Sequence, residues 1–174
     1  NSWQDIGFDS GKRSKQMLKD AGLTAPADSR LVTDAFIYPY GQQFNTDTIT
    51  ADQAINFLTD YSGEDPFFLG VSFVKPHFPY TIQQEFYDMY ALAGIPLPPA
   101  TPEMISDLSA ALKSDRIKFG IDQLTPEQNA FCRAIYYGMV TYVDQQFQRI
   151  LDQLDQLGLR DNTVIIYTSD HGDL

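Results

Sequence analysis

Apolar residues recur along this chain with two different spacings. From Thr50 onward, Ala54, Ile55, Leu58 and Tyr61 share one helical face, and Thr50-Ala51-Asp52-Gln53 has the form of a capping box. The spacing therefore predicts a helix that starts at Thr50 and is ended by Gly63 and Pro66. A longer helical pattern begins at a second capping box, Thr125-Pro126-Glu127-Gln128, with Pro at the first helical position. Phe131, Ile135, Met139, Tyr142, Val143, Phe147, Ile150, Leu154 and Leu157 keep its period, and Gly158 is placed to end it. At ~1.5 Å per residue such a helix runs on the order of 45 Å. Shorter helices are expected near Lys15 to Ala21, over Gln83 to Tyr90, and from Thr101-Pro102 with Met104, Ile105, Leu108 and Leu112 on the apolar side.

Two runs are apolar without helical spacing. Phe67-Phe68-Leu69-Gly70-Val71-Ser72-Phe73 and Thr163-Val164-Ile165-Ile166-Tyr167-Thr168 both follow turn residues, and both read as strands buried on two faces, as in parallel sheets. Val74 to Tyr80, rich in proline, must be a loop leaving the first run, and Gly94 to Pro99 a connector. Residues 1–43 show weak periodicity and read as irregular apart from the short helix. Gly11-Lys12-Arg13-Ser14 has the tail of a phosphate loop, but Ile6 stands where the first glycine belongs, so that idea is set aside. Strand, helix and strand in alternation predict an α/β fold with a sheet layered by helices.

Composition narrows the class. With 174 residues, 43% of them apolar and 13% aromatic, the chain fits one globular domain. No apolar run reaches ~18 residues, so no membrane span is expected. The net charge of -11 argues against nucleic acid, whose binding rests on Lys and Arg at phosphates. An anionic ester would need a local cationic site within that acidic field. Cys132 is the single cysteine, so no internal disulfide can form; its place on the long helix suits a small core residue.

Two polar clusters follow the two apolar runs: Lys75-Pro76-His77 and Asp170-His171-Gly172-Asp173. The C-terminal edge of an open α/β sheet is where ligands bind, and both histidines of the chain, His77 and His171, fall there. Asp170 and His171 put a carboxylate beside an imidazole, a set that suits a divalent ion. A polar turn with Asp170 capping backbone N–H groups is the alternative. Lys75 and His77 could both donate to an anion, or line a solvated loop. Asp144 on the long helix reads as a buried structural carboxylate, and Tyr136 and Tyr137 as residues packed on the sheet.

The stretch from Pro66 to Phe73 followed by Lys75-Pro76-His77-Phe78-Pro79-Tyr80 resembles the sulfatase family of the alkaline-phosphatase superfamily. Tyr136 to Asp144, with Ile150-Leu151 and Leu154, looks like that family's long helix, and Thr163 to Asp173 like its metal-binding segment. The likeness covers roughly residues 48–174 and is nearest to the iduronate-2-sulfatase and choline-sulfatase branches. It implies a partial alkaline-phosphatase-like sheet, calcium, a formylglycine nucleophile made from cysteine, and a sulfated small molecule or sulfated glycan as substrate. By the same resemblance Asp170 and His171 match metal ligands, His77 a catalytic, sulfate-contacting histidine, and Lys75 a sulfate-binding lysine at a position that varies. The compartment implied is periplasmic, extracellular or lysosomal ahead of cytoplasmic.

The nucleophile motif is missing. Cys132-Arg133-Ala134-Ile135-Tyr136 has Tyr136 where arginine belongs, and it lies in a helical pattern. Residues 1–174 therefore read as an internal fragment of a sulfatase catalytic domain, with 1–47 only loosely assigned. Alone they are expected to be inactive, to bind calcium poorly, and to aggregate through a strand at Thr163 to Thr168 short of neighbours. The rival readings are a phosphoester or phosphonate-monoester hydrolase of the same superfamily, and a non-catalytic relative that binds a sulfated glycan.

Overall fold

A computed structural model describes residues 10–24, 35–61, 63, 65–91, 94–95 and 101–172. Asp173 of the terminal motif and most of the 94–99 connector lie outside the described residues. In chain order the elements are α1 (Ser10–Asp20), β1 (Phe36–Ile37), α2 (Thr46–Asp60), β2 (Thr81–Ile82), α3 (Gln84–Ala91), α4 (Pro102–Ser106), α5 (Ala110–Lys118) and α6 (Pro126–Gln156).

Capping decides where the helices begin. Thr125 accepts from the Gln128 N–H while the Gln128 side chain accepts from the Thr125 N–H, so α6 starts at the expected capping box. It ends where expected too: Gly158 has φ +66°, a left-handed conformation that glycine adopts without a Cβ penalty. The α2 start differs from expectation. Asn45, not Thr50, caps it by accepting from the Asp47 N–H, and the Thr50 hydroxyl donates within the helix to the Thr46 carbonyl. The helix expected from Thr101 is two helices. Thr101 caps α4, and Ser109 caps α5 by accepting from Leu112 N–H, which leaves Met104 and Leu112 exposed instead of on a packed face.

Two apolar clusters meet on α6. Ala51, Ala54 and Leu58 of α2 pack with Ile150 and Leu154 of α6. Ile82 and Phe86 pack with Ile135, Met139 and Tyr142. At Gly138 of α6 the α3 backbone is near: an added Cβ would lie 3.0 Å from the Phe86 carbonyl oxygen. Gly138→Ala should gain ~1 kcal/mol of helix propensity yet lose more by forcing the α3 backbone outward, for a net loss of about 1–2 kcal/mol. Urea unfolding checks this; an unchanged or raised midpoint would show that α3 yields freely.

The sheet is smaller than expected and built from other residues. β1 and β2 are parallel, with Phe36 opposite Thr81 and Ile37 opposite Ile82. The two apolar runs form no strand among the described residues. Phe67, Leu69, Val71 and Phe73 pack on the α2–α6 cluster, while Phe68 is 78% exposed and Val74 also faces outward. This corrects the reading of that run as buried on both faces: the small or polar residues Gly70 and Ser72 share the bare side with Phe68. Val164 (88%), Ile166 (80%) and Tyr167 are exposed as well, which corrects the reading of the second run as a strand buried on two faces. Asp144 is exposed, not buried. Tyr136 and Tyr137 pack on Tyr80 and Tyr90 at ring-centroid distances of 5.8 and 5.6 Å, not on a sheet face. The described residues are thus helix-rich and mixed, with one parallel strand pair among them.

Candidate functional site

The loop after the first apolar run carries Lys75 and His77 as expected. Its Lys75–Pro76 and Phe78–Pro79 peptide bonds are both cis. The His77 N–H donates to the Val74 carbonyl at 3.0 Å, closing a tight turn. Lys75 and His77 line one cleft with Asp47, Thr46 and Asn45 at the start of α2, Tyr38 beside β1, and Thr81 of β2.

The Lys75 ammonium points inward. It donates to the Thr81 carbonyl at 2.7 Å and lies 3.4 Å from the Thr81 hydroxyl and 3.8 Å from the Met139 sulfur. Burial lowers its pKa to about 8, and the nearby Asp47 carboxylate opposes that drop. These three contacts account for its three donors, so what the ammonium offers an anion in the cleft is its charge. His77 is exposed. Its Nδ1 sits 2.5 Å from the Phe78 carbonyl, and since a carbonyl only accepts, Nδ1 is the donor. Nε2 is then the ring atom left to face a ligand.

Asp47 was not singled out by the sequence reading. It is 1% exposed, and its two oxygens accept from the backbone N–H groups of Val74 (2.7 Å) and Lys75 (3.3 Å). Burial raises its pKa, while those hydrogen bonds and Lys75 pull the other way. Next to it, the Thr48 and Tyr142 hydroxyls are 2.6 Å apart, which fixes the first turn of α2 to α6. Burial also pushes the Tyr142 phenol up. The signal for Asp47 was present: an Asn two residues before an acidic residue is a helix-start pattern, but the fuller capping box at Thr50 masked it.

Asp170 and His171 follow the second apolar run and face solvent. Asp170 Oδ1 accepts from the His171 N–H at 3.0 Å, the capping-turn geometry named above as the alternative to a metal site. His171 Nδ1 lies 2.8 Å from the Gly172 carbonyl, and Nε2 lies 3.7 Å from Asp170 Oδ2. The donor set suits a divalent ion. Among the described residues, however, no three His, Cys, Asp or Glu side chains gather. Calcium takes ~6–8 oxygen ligands, so this pair alone does not make its shell. Neither residue lines the cleft of Lys75 and His77. Among the described residues no helix is long and apolar enough to cross a membrane.

Comparison with known proteins agrees with the motifs. An arylsulfatase of Clostridium perfringens is 30% identical over 141 residues, 78% of this chain and 28% of its own length. The human (Homo sapiens) iduronate 2-sulfatase is 31% identical over 140 residues, 72% of this chain and 25% of its own. A choline-sulfatase of Rhizobium meliloti is 29% identical over 127 residues, 66% of this chain and 23% of its own. The chain thus spans about a quarter of the length of these relatives. The sulfatase family model matches residues 3–174, nearly the whole sequence, and the chain belongs to the sulfatase family.

Proposed function

We propose that these residues form the sulfate-clamping part of a sulfuric ester hydrolase. The observation that carries this reading is the meeting of Lys75 and His77 on one cleft, in a chain of sulfatase family. Lys75 supplies fixed positive charge to sulfate oxygens in a molecule whose net charge is otherwise -11. In this reading His77 Nε2 binds the ester and, as imidazolium, hands a proton to the departing alkoxide. The formylglycine nucleophile belongs to residues other than these. Asp170 and His171 are the pair we assign to calcium, with further ligands supplied elsewhere in the protein. When bound, that ion would neutralise sulfate oxygens. The substrate class is a sulfated small molecule or sulfated glycan.

The experiment is to assay the protein that carries these residues with 4-nitrophenyl sulfate and 4-nitrophenyl phosphate at saturating calcium. Faster release from the sulfate ester is expected. Preference for the phosphate would move the reading to a phosphoester or phosphonate-monoester hydrolase. No release from either, with retention on a sulfated-glycan column, would make it a binding protein.

A further inference from the structure

We propose that Asp47 is the positioning residue of the Lys75–His77 loop: its two carboxylate oxygens hold the Val74 and Lys75 backbone N–H groups and so set where the loop meets an anionic ligand. The inference rests on the sulfate-clamp reading only for what the loop serves. The holding itself stands on geometry.

A fully buried carboxylate is costly unless its lone pairs are filled. Asp47 has both oxygens filled by consecutive amides, from a segment 27 and 28 positions away in sequence. No neutral side chain of that length does the same, because an asparagine offers one acceptor and turns an NH2 toward the second amide. Asp47 also sits in the first turn of α2, where the helix dipole favours negative charge. The Thr48–Tyr142 contact ties that turn to α6, and the Lys75–Thr81 bond pins the loop's side chain to β2. The loop is therefore set against three elements, and among the described residues Asp47 is the anchor that also carries charge opposite the ammonium. Removing that charge would lower the proton affinity of Lys75 and weaken the cation that the clamp needs. The titratable groups around this centre are Asp47 from α2, Tyr142 from α6, Tyr38 beside β1, and His77 from the loop itself.

The test has three readouts on the whole chain. In the unaltered protein, hydrogen exchange at the Val74 and Lys75 amides should be slowed at least about tenfold against free-chain rates. In Asp47→Asn, with helical circular dichroism retained, both should exchange about tenfold faster. The pH midpoint for acetylation of Lys75, read by mass spectrometry, should fall by about one pH unit. Inorganic sulfate should protect Lys75 from acetylation, at about tenfold higher concentration in the variant than in the parent. Free-chain exchange at both amides in the unaltered protein would overturn the proposal, and this measurement decides alone if Asp47→Asn does not fold. An Asp47→Asn protein with unchanged exchange and unchanged midpoint would overturn it as well. Failure of sulfate to protect Lys75 in the unaltered protein strikes instead at the sulfate-clamp reading, leaving the exchange and midpoint results to judge Asp47.

Discussion

His77→Ala in the protein that carries these residues should lower turnover of an aryl sulfate by about 10²–10⁴-fold, the usual contribution of a positioned acid–base group. Stability should move little, within about 0.5 kcal/mol, because the His77 side chain is exposed and its hydrogen bond is to the adjacent residue. The loss should fall on kcat and kcat/KM together if the proton goes to the leaving group in the transition state. A substrate with a better leaving alcohol should then recover part of the lost rate. The checks are steady-state kinetics on aryl sulfates of graded leaving-group pKa, with urea unfolding beside them. Near-normal turnover on the poorest leaving group would remove His77 from the catalytic assignment.

The second large effect is a stability that climbs with pH. Lys75 titrates at about 8 in the folded chain, against ~10.4 when unfolded. Between those values the unfolded state holds more protons, so stability rises with pH. The burial cost of the charged ammonium is fully present below about pH 8 and is relieved as pH climbs toward ~10. Its full size is on the order of 3 kcal/mol, of which ~2 should be visible between pH 7.5 and 9.5. Tyr142 works in the opposite sense: its raised pKa makes the unfolded phenol ionise first, which erodes stability above ~10. The window for Lys75 is therefore ~8–10. Lys75→Met should flatten the rise while leaving the Thr81 carbonyl without its donor. Urea midpoints of both proteins across that range measure it, and a flat profile in the parent would mean that the ammonium is hydrated in the fold.

Much of this architecture can be read before the structure. The α6 helix announces itself at both ends, through a reciprocal capping box and a left-handed glycine, because those are local interactions of neighbouring residues. The Lys75–His77 loop is legible for the same reason: prolines exclude regular structure. The strands are not. Phe67 to Phe73 looked enclosed because apolar residues dominate it, but whether a face is covered depends on what packs there, which the run itself does not encode. β1 and β2 are two residues each, too short to carry any period. The helix start at Asn45 leaves a trace in the sequence, but the hold of Asp47 on the Val74 and Lys75 amides does not, because its partners are backbone groups of a distant segment. The metal assignment of Asp170 and His171 rests on sequence likeness, since the fold shows the pair as a solvated turn.

The α6 helix belongs to both apolar clusters, with Ile135, Met139 and Tyr142 in one and Ile150 and Leu154 in the other. Helix formation is cooperative along its length, so neither half can unravel without straining the cluster seated on the other. Two cores that could each have melted in turn are thereby fused into one cooperative unit. Heat or denaturant meets the cleft, the loop and the α2 anchor together rather than loosening them in sequence.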